Sequence, residues 1–248
     1  MQELLDELEH RRIAGKPVRF WLRDDDAVKP SAALSRFNTL TERYSIPTTL
    51  AVIPENTGKA LVENLSHMKH INIAVHGWSH KNHAPENEKK QELGSHRSSE
   101  LVLAELSRGL SKLSALYKDR FVPLLVPPWN RIADDLVDSL ADIGFTGLST
   151  FGHEKPAVIK MMNTHVDLID WKGTRGGRES DQLVGEFIKI MRATEKPVGF
   201  LTHHLVHDEL AWRFIEDFFE MTKHHDGCCW MSSREVLDET LPNPGFPA

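Results

Sequence analysis

Short apolar runs alternate with longer amphipathic segments along most of this chain. The apolar runs predict strands over residues 18–22, 48–53, 71–75, 122–126, 145–150, 165–169, 198–202 and 228–231. The segments between them predict helices over residues 2–14, 30–44, 59–70, 98–118, 132–143, 180–193, 208–223 and 232–239. Strands that alternate with helices are typical of an α/β protein with a parallel sheet. Because about eight such units occur without a glycine-rich nucleotide motif, we expect a distorted (β/α) barrel of seven or eight parallel strands.

The length and composition favour one large domain and argue against some classes of function. With 248 residues, of which 40% are hydrophobic, the chain can bury a substantial core, and we expect a single domain over residues 1–248. The 30 basic and 36 acidic residues are interleaved, which argues against nucleic acid as a partner. The most apolar stretch, residues 121–129, is short and holds three prolines, so no membrane insertion is expected. The oligomeric state is left open.

The first residues and the cysteines predict a cytoplasmic protein. Residues 1–16 carry charged side chains throughout and have no apolar core, so no secretory signal is expected. Cys228 and Cys229 are adjacent, a spacing that rarely closes a disulfide, and we expect both to be reduced and buried.

Titratable and aromatic residues directly follow five of the predicted strands. They are Asp24 to Asp26, His76 with His80, Trp129 to Arg131, Asp170 with Trp171, and His203 with His204. Because a parallel barrel carries its active site at the carboxyl ends of its strands, these residues predict a functional site at one rim. His76 and His80 are four positions apart, so one helical turn would let both imidazoles share a cation with a third ligand. By themselves they could equally be two unrelated loop histidines.

Taken in order, these stretches resemble the five motifs of the polysaccharide deacetylase, or NodB homology, family of carbohydrate esterases. The matching stretches are Asp25-Asp26-Ala27, His76 to His80, Pro127-Pro128-Trp129, Asp167 to Trp171, and Leu201-Thr202-His203. Each motif is weak by itself, but five in the family's order form a specific pattern. The resemblance implies a metal-dependent hydrolase that cleaves a carbon–nitrogen bond and removes an N-acetyl group from a sugar or a saccharide precursor.

The resemblance also implies a divalent metal ion, with Zn²⁺ as the expected ion, held by Asp26, His76 and His80. It implies Asp25 as the general base. The run of three aspartates also admits a register in which Asp24 and Asp25 take these two roles, but the small residue that follows Asp26 favours the first register.

His203 corresponds to the family's general acid, oriented by Asp170 or Asp167. His204 is the weaker candidate because it points to the opposite face if the strand continues. The residues that correspond to the substrate and oxyanion contacts are Trp129, Asn130, Arg131, Trp171 and Arg175.

The chain departs from the family pattern at two positions. Ala27 stands where glycine is usual, and no arginine directly precedes Pro127. In the family that arginine steadies the base, and here Arg23 or Arg131 could replace it. Two alternatives therefore stay open: a hydrolase acting on a small non-sugar amide, and a metal-binding homologue without activity.

A glycine-rich loop over residues 173–178 suggests a more particular substrate. Arg175 and Arg178 could clamp the phosphate of a phosphorylated or carrier-linked sugar. The long polar loop over residues 81–97 could form the opposite wall of such a site.

Overall fold

Nine parallel strands form one sheet in the computed structural model, which describes residues 1–239. The strands are β1 (Val18–Ala27), β2 (Thr48–Val52), β3 (Ile71–His76), β4 (Phe121–Val126), β5 (Gly147–Leu148), β6 (Lys160–Met161), β7 (Thr164–Asp167), β8 (Val198–Thr202) and β9 (Cys228–Met231). The end of the expected domain, residues 240–248, lies outside the described residues.

Eight helices connect and flank these strands within residues 1–239. They are α1 (Gln2–Ile13), α2 (Ala32–Arg43), α3 (Lys59–Asn64), α4 (Ser99–Tyr117), α5 (Asp134–Val137), α6 (Ser180–Ala193), α7 (Glu209–Lys223) and α8 (Ser233–Asp238). Side-chain oxygens of Ser31, Ser98, Asp208 and Ser232 accept backbone N–H groups at the starts of α2, α4, α7 and α8. Such caps satisfy donors that have no partner inside the helix.

Two helices are shorter than the sequence predicts. Residues 65–70 form turns between α3 and β3, where the main-chain N–H of Met68 donates to Leu65 and that of Ile71 donates to Met68. After α5, Ser139 and Leu140 bond to carbonyls three positions earlier instead of four. These tight turns bring the chain to the next strand sooner than a continued α-helix would.

The sheet curls back on itself into the distorted barrel that the sequence predicts. Its order is β6-β5-β4-β3-β2-β1-β8-β7, with β9 paired to the first half of β1. β6 and β7 lie on one stretch of chain, so the two ends of this order are only three residues apart, from Met161 to Thr164. A further bridge joins Phe151 to Thr164. The short strand β6 was not expected, because its two residues show no apolar alternation.

Alternate residues of β1 serve opposite faces of the sheet. Phe20 and Leu22 pack in the core that the outer helices α1, α2, α6 and α7 cover. Trp21 belongs instead to a separate interior core, where Ala51 and Ala74 leave room for its indole ring. Because side chains alternate along a strand, residues 23 and 25 are directed inward like residue 21, whereas residue 24 is directed outward.

The structure confirms one expectation about the cysteines and corrects another. Cys228 and Cys229 are free thiols, but only Cys228 is buried, since adjacent residues of β9 face opposite sides. Burial raises the pKa of the Cys228 thiol to about 12.

Within residues 1–239, every helix is too short or too polar to cross a membrane.

Candidate functional site

Three side chains with metal-binding atoms meet at the carboxyl ends of β1 and β3. Oδ1 of Asp26 lies 3.1 Å from Nε2 of His76 and 3.2 Å from Nε2 of His80. One ligand atom from each residue lies within 4.8 Å of the other two. Two imidazole nitrogens and one carboxylate oxygen suit Zn²⁺ and leave a position for water or substrate. The structure thus brings together the three ligands that the sequence predicts.

The backbone adopts a left-handed conformation at two of these ligands. Asp26 has a φ of 74° and lies where the pairing of β1 with β2 shifts register, between Asp24 and Ala27. His80 has a φ of 57° in the turn after β3. Residues other than glycine rarely adopt such angles, and these conformations persist only where surrounding contacts hold them. Irregularities of this kind re-aim side chains near functional sites.

Buried acceptors hold both histidines. Nδ1 of His76 lies 2.9 Å from the carbonyl oxygen of Val126, which leaves Nε2 to face Asp26. The turn that carries His80 is bonded to Glu92, a fully buried carboxylate from the 81–97 loop. The sequence pattern does not mark Glu92, because its partners are main-chain N–H groups 12 to 14 positions earlier.

The electrostatics of the site favour a cation. Burial opposes ionisation of Asp26, but the hydrogen bond and charge of His76, with the charges of His203 and His80, outweigh it and lower the pKa of Asp26. Burial also opposes protonation of His76, but the carboxylates of Asp25 and Asp26 outweigh it and raise its pKa. Burial and the neighbouring charge of His76 lower the pKa of His80, which favours the neutral form of its imidazole. An ionised carboxylate beside a neutral imidazole is a suitable pair of ligands.

Asp25 lies beside these ligands and pairs with Arg23 inside the barrel. Nη2 of Arg23 donates to Oδ2 of Asp25 at 3.0 Å, and both side chains are buried. Nη1 of Arg23 donates to Oγ of Ser149 at 2.7 Å, and Nη2 also donates to Oδ1 of Asn130 at 2.6 Å. A buried guanidinium with this many acceptors fixes the direction of the carboxylate that it binds.

The three predicted site residues after β4, which are Trp129, Asn130 and Arg131, contact three different parts of the protein. Trp129 and Asn130 have φ values of 56° and 57°. The ring centroid of Trp129 lies 4.4 Å from that of His80, whereas Asn130 bonds the buried arginine described above. Arg131 donates to the carbonyl oxygen of Lys90 at 2.8 Å. Of the two arginines expected to steady the base, the structure therefore selects Arg23.

His203 follows β8 and faces Asp25, with Nε2 of His203 3.9 Å from Oδ2 of the aspartate. The indole ring of Trp171 packs edge-on against the His203 imidazole, with 4.8 Å between centroids. Nε1 of Trp171 in turn donates to Oδ2 of Asp167 at 2.9 Å. Burial raises the pKa of Asp167, although the positive charge of His203 opposes the shift.

Asp170 does not contact His203. Its two carboxylate oxygens accept the main-chain N–H groups of Gly173 at 3.0 Å and Thr174 at 3.2 Å. An aspartate before a glycine turn commonly binds the free N–H groups of that turn, so Asp170 shapes the loop after β7. The expectation that Asp170 orients His203 is corrected, and Asp167 is linked to His203 through the indole of Trp171.

His204 and Asp24 form a separate buried pair on the outer face of the strands. Oδ2 of Asp24 accepts the hydroxyl of Thr202 at 2.7 Å and the main-chain N–H of His204 at 2.9 Å, and Oδ1 contacts Nδ1 of His204. Burial disfavours both charges, but their attraction lowers the pKa of Asp24 and raises that of His204. The structure thus directs Asp24 and His204 away from the metal ligands, which agrees with the register that uses Asp25, Asp26 and His203.

The two arginines of the glycine-rich loop do not form a phosphate clamp. Both Nη atoms of Arg178 donate to the carboxylate of Glu186, at 2.9 and 2.7 Å, and this hydrogen bonding raises the pKa of Arg178. Arg175 is exposed and has a φ of 60°. Because the guanidinium of Arg178 is already bound, the expected two-arginine site is not formed.

A cleft of about 630 Å³ opens beside the Arg23–Asp25 pair, between the loops that follow β4 and β5. Asn130 and Thr150 line the cleft and also accept hydrogen bonds from Arg23. Further lining residues are the apolar Ile132, Val137, Leu148 and Met161, and Phe151, whose side chain is 45% exposed. Ligand sites in proteins commonly have volumes of about 300–1,000 Å³.

Comparisons with known proteins agree with the family resemblance of the motifs and with the fold. A sequence profile described as polysaccharide deacetylase matches residues 20–148, just over half of the chain. The chain therefore belongs to the polysaccharide deacetylase family, as its motifs predict. A comparison with curated protein sequences finds no match.

Solved structures share the fold at low sequence identity. A candidate polysaccharide deacetylase from Mycobacterium smegmatis is 14% identical, with a TM-score of 0.66 over 94% of this chain and 96% of that chain. A family 4 carbohydrate esterase from Streptomyces lividans, in complex with acetate, is 15% identical, with a TM-score of 0.61 over 91% and 98%. A family 4 acetyl xylan esterase from Clostridium thermocellum, in complex with a cobalt ion, is 14% identical, with a TM-score of 0.56 over 88% and 89%.

Proposed function

We propose that this protein is a metal-dependent hydrolase that removes the acetyl group from an N-acetylated sugar or saccharide. The observation that carries the proposal is the meeting of Asp26, His76 and His80 with Asp25 and His203 at one rim of the barrel. Family membership supports the acetylated sugar as the substrate class. The donor set of two histidines and one aspartate supports a divalent ion, with Zn²⁺ as the expected one.

Asp26, His76 and His80 would hold the ion, and Asp25 acts on the attacking water. A bound divalent cation supplies Lewis acidity toward the carbonyl oxygen of the amide. Asp25 accepts the proton of the water as the new carbon–oxygen bond forms. Arg23 keeps the Asp25 carboxylate in one orientation, so that the base is already aimed when the substrate arrives.

His203 supplies the proton that the departing nitrogen needs. As the carbon–nitrogen bond breaks, the proton passes from the imidazole to the leaving amine. The ring of Trp171 packs against the imidazole, and Asp167 holds that indole, so the pair restricts rotation of His203. The 3.9 Å between Nε2 of His203 and Oδ2 of Asp25 supports roles as acid and base toward one reacting group.

The Arg23–Asp25 pair weighs against a homologue that binds metal without activity. The arginine that the family places before its proline is missing at Pro127, but Arg23 reaches the same carboxylate from within β1. The guanidinium is fully buried and bonded on several sides, which suits a fixed supporting role. Arg23 of β1 therefore takes over the task of the family's arginine, which is to steady the base.

The cleft beside Asn130 favours a saccharide over a small non-sugar amide. It has room for more than an amide group, and its lining combines polar side chains such as Asn130 and Asp134 with the exposed aromatic ring of Phe151. Sugar rings present an apolar face that packs on aromatic rings and hydroxyls that bind polar groups at the rim. A small amide would leave most of this cleft to water.

Release of acetate from two matched substrates tests the proposal. Metal-free protein, prepared with a chelator, is compared with protein loaded with Zn²⁺ on an N-acetylated oligosaccharide and on a small N-acetylated amine without a sugar. We expect turnover of the oligosaccharide by the loaded protein and at least a hundredfold less by the metal-free protein. Turnover of the small amide alone would favour the non-sugar hydrolase, and no turnover of either by fully loaded protein would favour the inactive homologue.

A further inference from the structure

The turn that carries His80 has a conformation that needs support from outside. The turn runs from Gly77 to His80, and both of these residues have a φ of 57°. A left-handed histidine is disfavoured and persists only where its surroundings over-determine it. Because the imidazole projects from this turn, a small rotation of the turn moves Nε2 away from Asp26.

The carboxylate of Glu92 accepts hydrogen bonds from three consecutive N–H groups of this turn. Its Oε1 accepts the main-chain N–H of Ser79 at 2.7 Å, the hydroxyl of Ser79 at 2.9 Å and the N–H of Trp78 at 3.3 Å. Its Oε2 accepts the main-chain N–H of His80 itself at 3.1 Å. Hydrogen bonds to a buried, charged acceptor are the stronger kind.

The space around this carboxylate fits the turn closely. A Cβ atom added at Gly77 would lie 2.2 Å from Oε2 of Glu92 and 2.7 Å from the ring of Pro128. Position 77 therefore needs glycine for two reasons, the left-handed backbone and the approach of Glu92. The carboxylate is thus packed into the turn and does not merely cover it.

The segment that carries Glu92 is itself anchored. Leu93 is buried in the core and pairs with Ile132 after β4. The main-chain N–H of Ala133 donates to the carbonyl oxygen of Leu93 at 2.8 Å. Glu92 therefore links the turn after β3 to the segment after β4, which also carries Trp129 against the His80 ring.

We propose that Glu92 is the positioning residue of His80. It binds no metal, but it fixes the three N–H groups of the turn so that Nε2 of His80 lies 3.2 Å from Asp26. The affinity of the site for a divalent ion then depends on a carboxylate that touches only the main chain and one hydroxyl of the turn. The inference rests on the metal site of the proposed function and is independent of the substrate and of the reaction.

Titration of the metal-free protein with Co²⁺, followed by competition with Zn²⁺, tests this role. Visible absorption of bound Co²⁺ reports how many ligands hold the ion and in what geometry. The variants are Glu92→Gln, which keeps the size but replaces one acceptor oxygen with a donor, and Glu92→Ala. Glu55→Gln is the matched control, because Glu55 accepts from the side chain of Lys81, the residue after the turn, at 3.1 Å.

We expect Glu92→Gln to bind Co²⁺ and Zn²⁺ about 10–100-fold more weakly, with a changed Co²⁺ spectrum, and Glu92→Ala to bind more weakly still. Glu55→Gln should bind like the wild type. In the metal-free protein, Glu92→Gln should also speed hydrogen exchange of the Ser79 and His80 amides about tenfold or more. That last measurement needs no bound ion.

Three outcomes would overturn the proposal. One is a Glu92→Gln protein with wild-type affinity, spectrum and amide exchange. Another is an equal loss of affinity in Glu92→Gln and Glu55→Gln, which would indicate general loosening of the loop. A wild-type protein that binds neither ion would overturn the metal site as well, whereas the first two outcomes leave that site and the proposed function standing. If Glu92→Ala does not fold, Glu92→Gln still decides.

Discussion

The two sides of the catalytic rim are built differently. On the ligand side, after β1 and β3, three functional side chains have buried partners: Val126 for His76, Glu92 for the His80 turn, and Arg23 for Asp25. The acid side, after β5, β7 and β8, is more open and more apolar. Of the seven large hydrophobic residues exposed within residues 1–239, five lie in these loops: Phe151, Val158, Trp171, Leu205 and Val206.

The difference matches two requirements of the proposed function: metal ligands must be held rigidly, whereas a substrate must be able to enter. A metal site loses affinity when its ligands are free to move, so the ligand side uses buried hydrogen bonds and a charge pair. Under the proposed function, a saccharide would enter and leave through the other side, where exposed aromatic surface can bind it without permanent partners. Substitutions on the ligand side should therefore cost more than substitutions among the exposed residues of the acid side.

The largest effect is expected from loss of a metal ligand. His80→Ala, His76→Ala and Asp26→Asn should each lower the content of divalent ion from about one per chain to nearly none after dialysis, because two ligands are too few to retain it. Elemental analysis measures this. His83→Ala is the control, since that exposed histidine lies on the following loop. Full occupancy in the His80→Ala protein would remove His80 from the site.

Substitution of the proposed base should separate chemistry from binding. Asp25→Asn should retain the ion but lower kcat by about 10²–10⁴-fold, because the carboxylate that accepts the proton is gone. Metal content and kcat are measured on the same sample. Arg23 keeps its bonds to Ser149 and Asn130 in this variant, which helps the protein to fold. Equal turnover by Asp25→Asn and wild type would exclude Asp25 as the base.

The neighbouring histidines after β8 offer an internal comparison. His203→Ala should lower kcat about a hundredfold or more with little change in stability. His204→Ala should leave Asp24 as an unpaired buried charge and lower the free energy of unfolding by about 3–5 kcal/mol, with kcat of the folded protein nearly unchanged. Urea unfolding and kinetics distinguish the two. The reverse pattern would assign the acid to His204.

The pH dependence of stability tests a half-buried histidine within β7, the strand that leads into the acid side. Nδ1 of His165 accepts the N–H of Gly199 at 3.0 Å, and burial lowers its pKa to about 4. An unfolded histidine titrates near pH ~6.5, so between these values only the unfolded chain binds the proton, and the free energy of unfolding falls as pH falls. Allowing for partial exposure of the ring, the loss is of the order of 2 kcal/mol.

His165→Gln keeps an acceptor for Gly199 but cannot titrate. Its free energy of unfolding should therefore fall less steeply than that of the wild type from about pH 6.5 to about pH 4, as measured by urea unfolding. The loss that remains in the variant includes His207, whose pKa burial also lowers to about 4. Identical profiles for both proteins would contradict this account of His165.

The smallest effect is expected at the cleft. Phe151→Ala should raise KM for an N-acetylated oligosaccharide about 3–10-fold and leave kcat nearly unchanged, because one stacking surface is lost. An N-acetylated monosaccharide should show no change. Val158→Ala is the control, since that residue is 71% exposed in the same connection between strands but does not line the cleft. Equal effects of both variants would place the sugar elsewhere.

Some features of the site could be predicted from the sequence, whereas others required the three-dimensional structure. The strand ends predict that the aspartates after β1 and the histidines after β3 share one rim, because parallel strands present their carboxyl ends on the same side. The choice of Asp26 as the third ligand came from the family resemblance. The choice of Arg23 over Arg131 needed the fold, since Arg23 reaches its partners on other strands through the barrel interior. The phosphate clamp failed because Arg178 pairs with Glu186 of α6, a partner that charge along the sequence does not reveal.

By itself, the sequence determined the alternation of strands and helices and the barrel class, because periodicity is a local property of the chain. The candidate metal ligands Asp26, His76 and His80 came from the motifs that resemble the family's, which are also short local patterns. Tertiary structure alone decided the partners that hold those ligands. It brought the two ends of the sheet together through the segment of β6 and β7, brought Glu92 onto the His80 turn, and turned Asp170 toward its own loop. Hydrogen bonds of this kind form between groups far apart in sequence, or between a side chain and the main chain, and neither leaves a periodic signal.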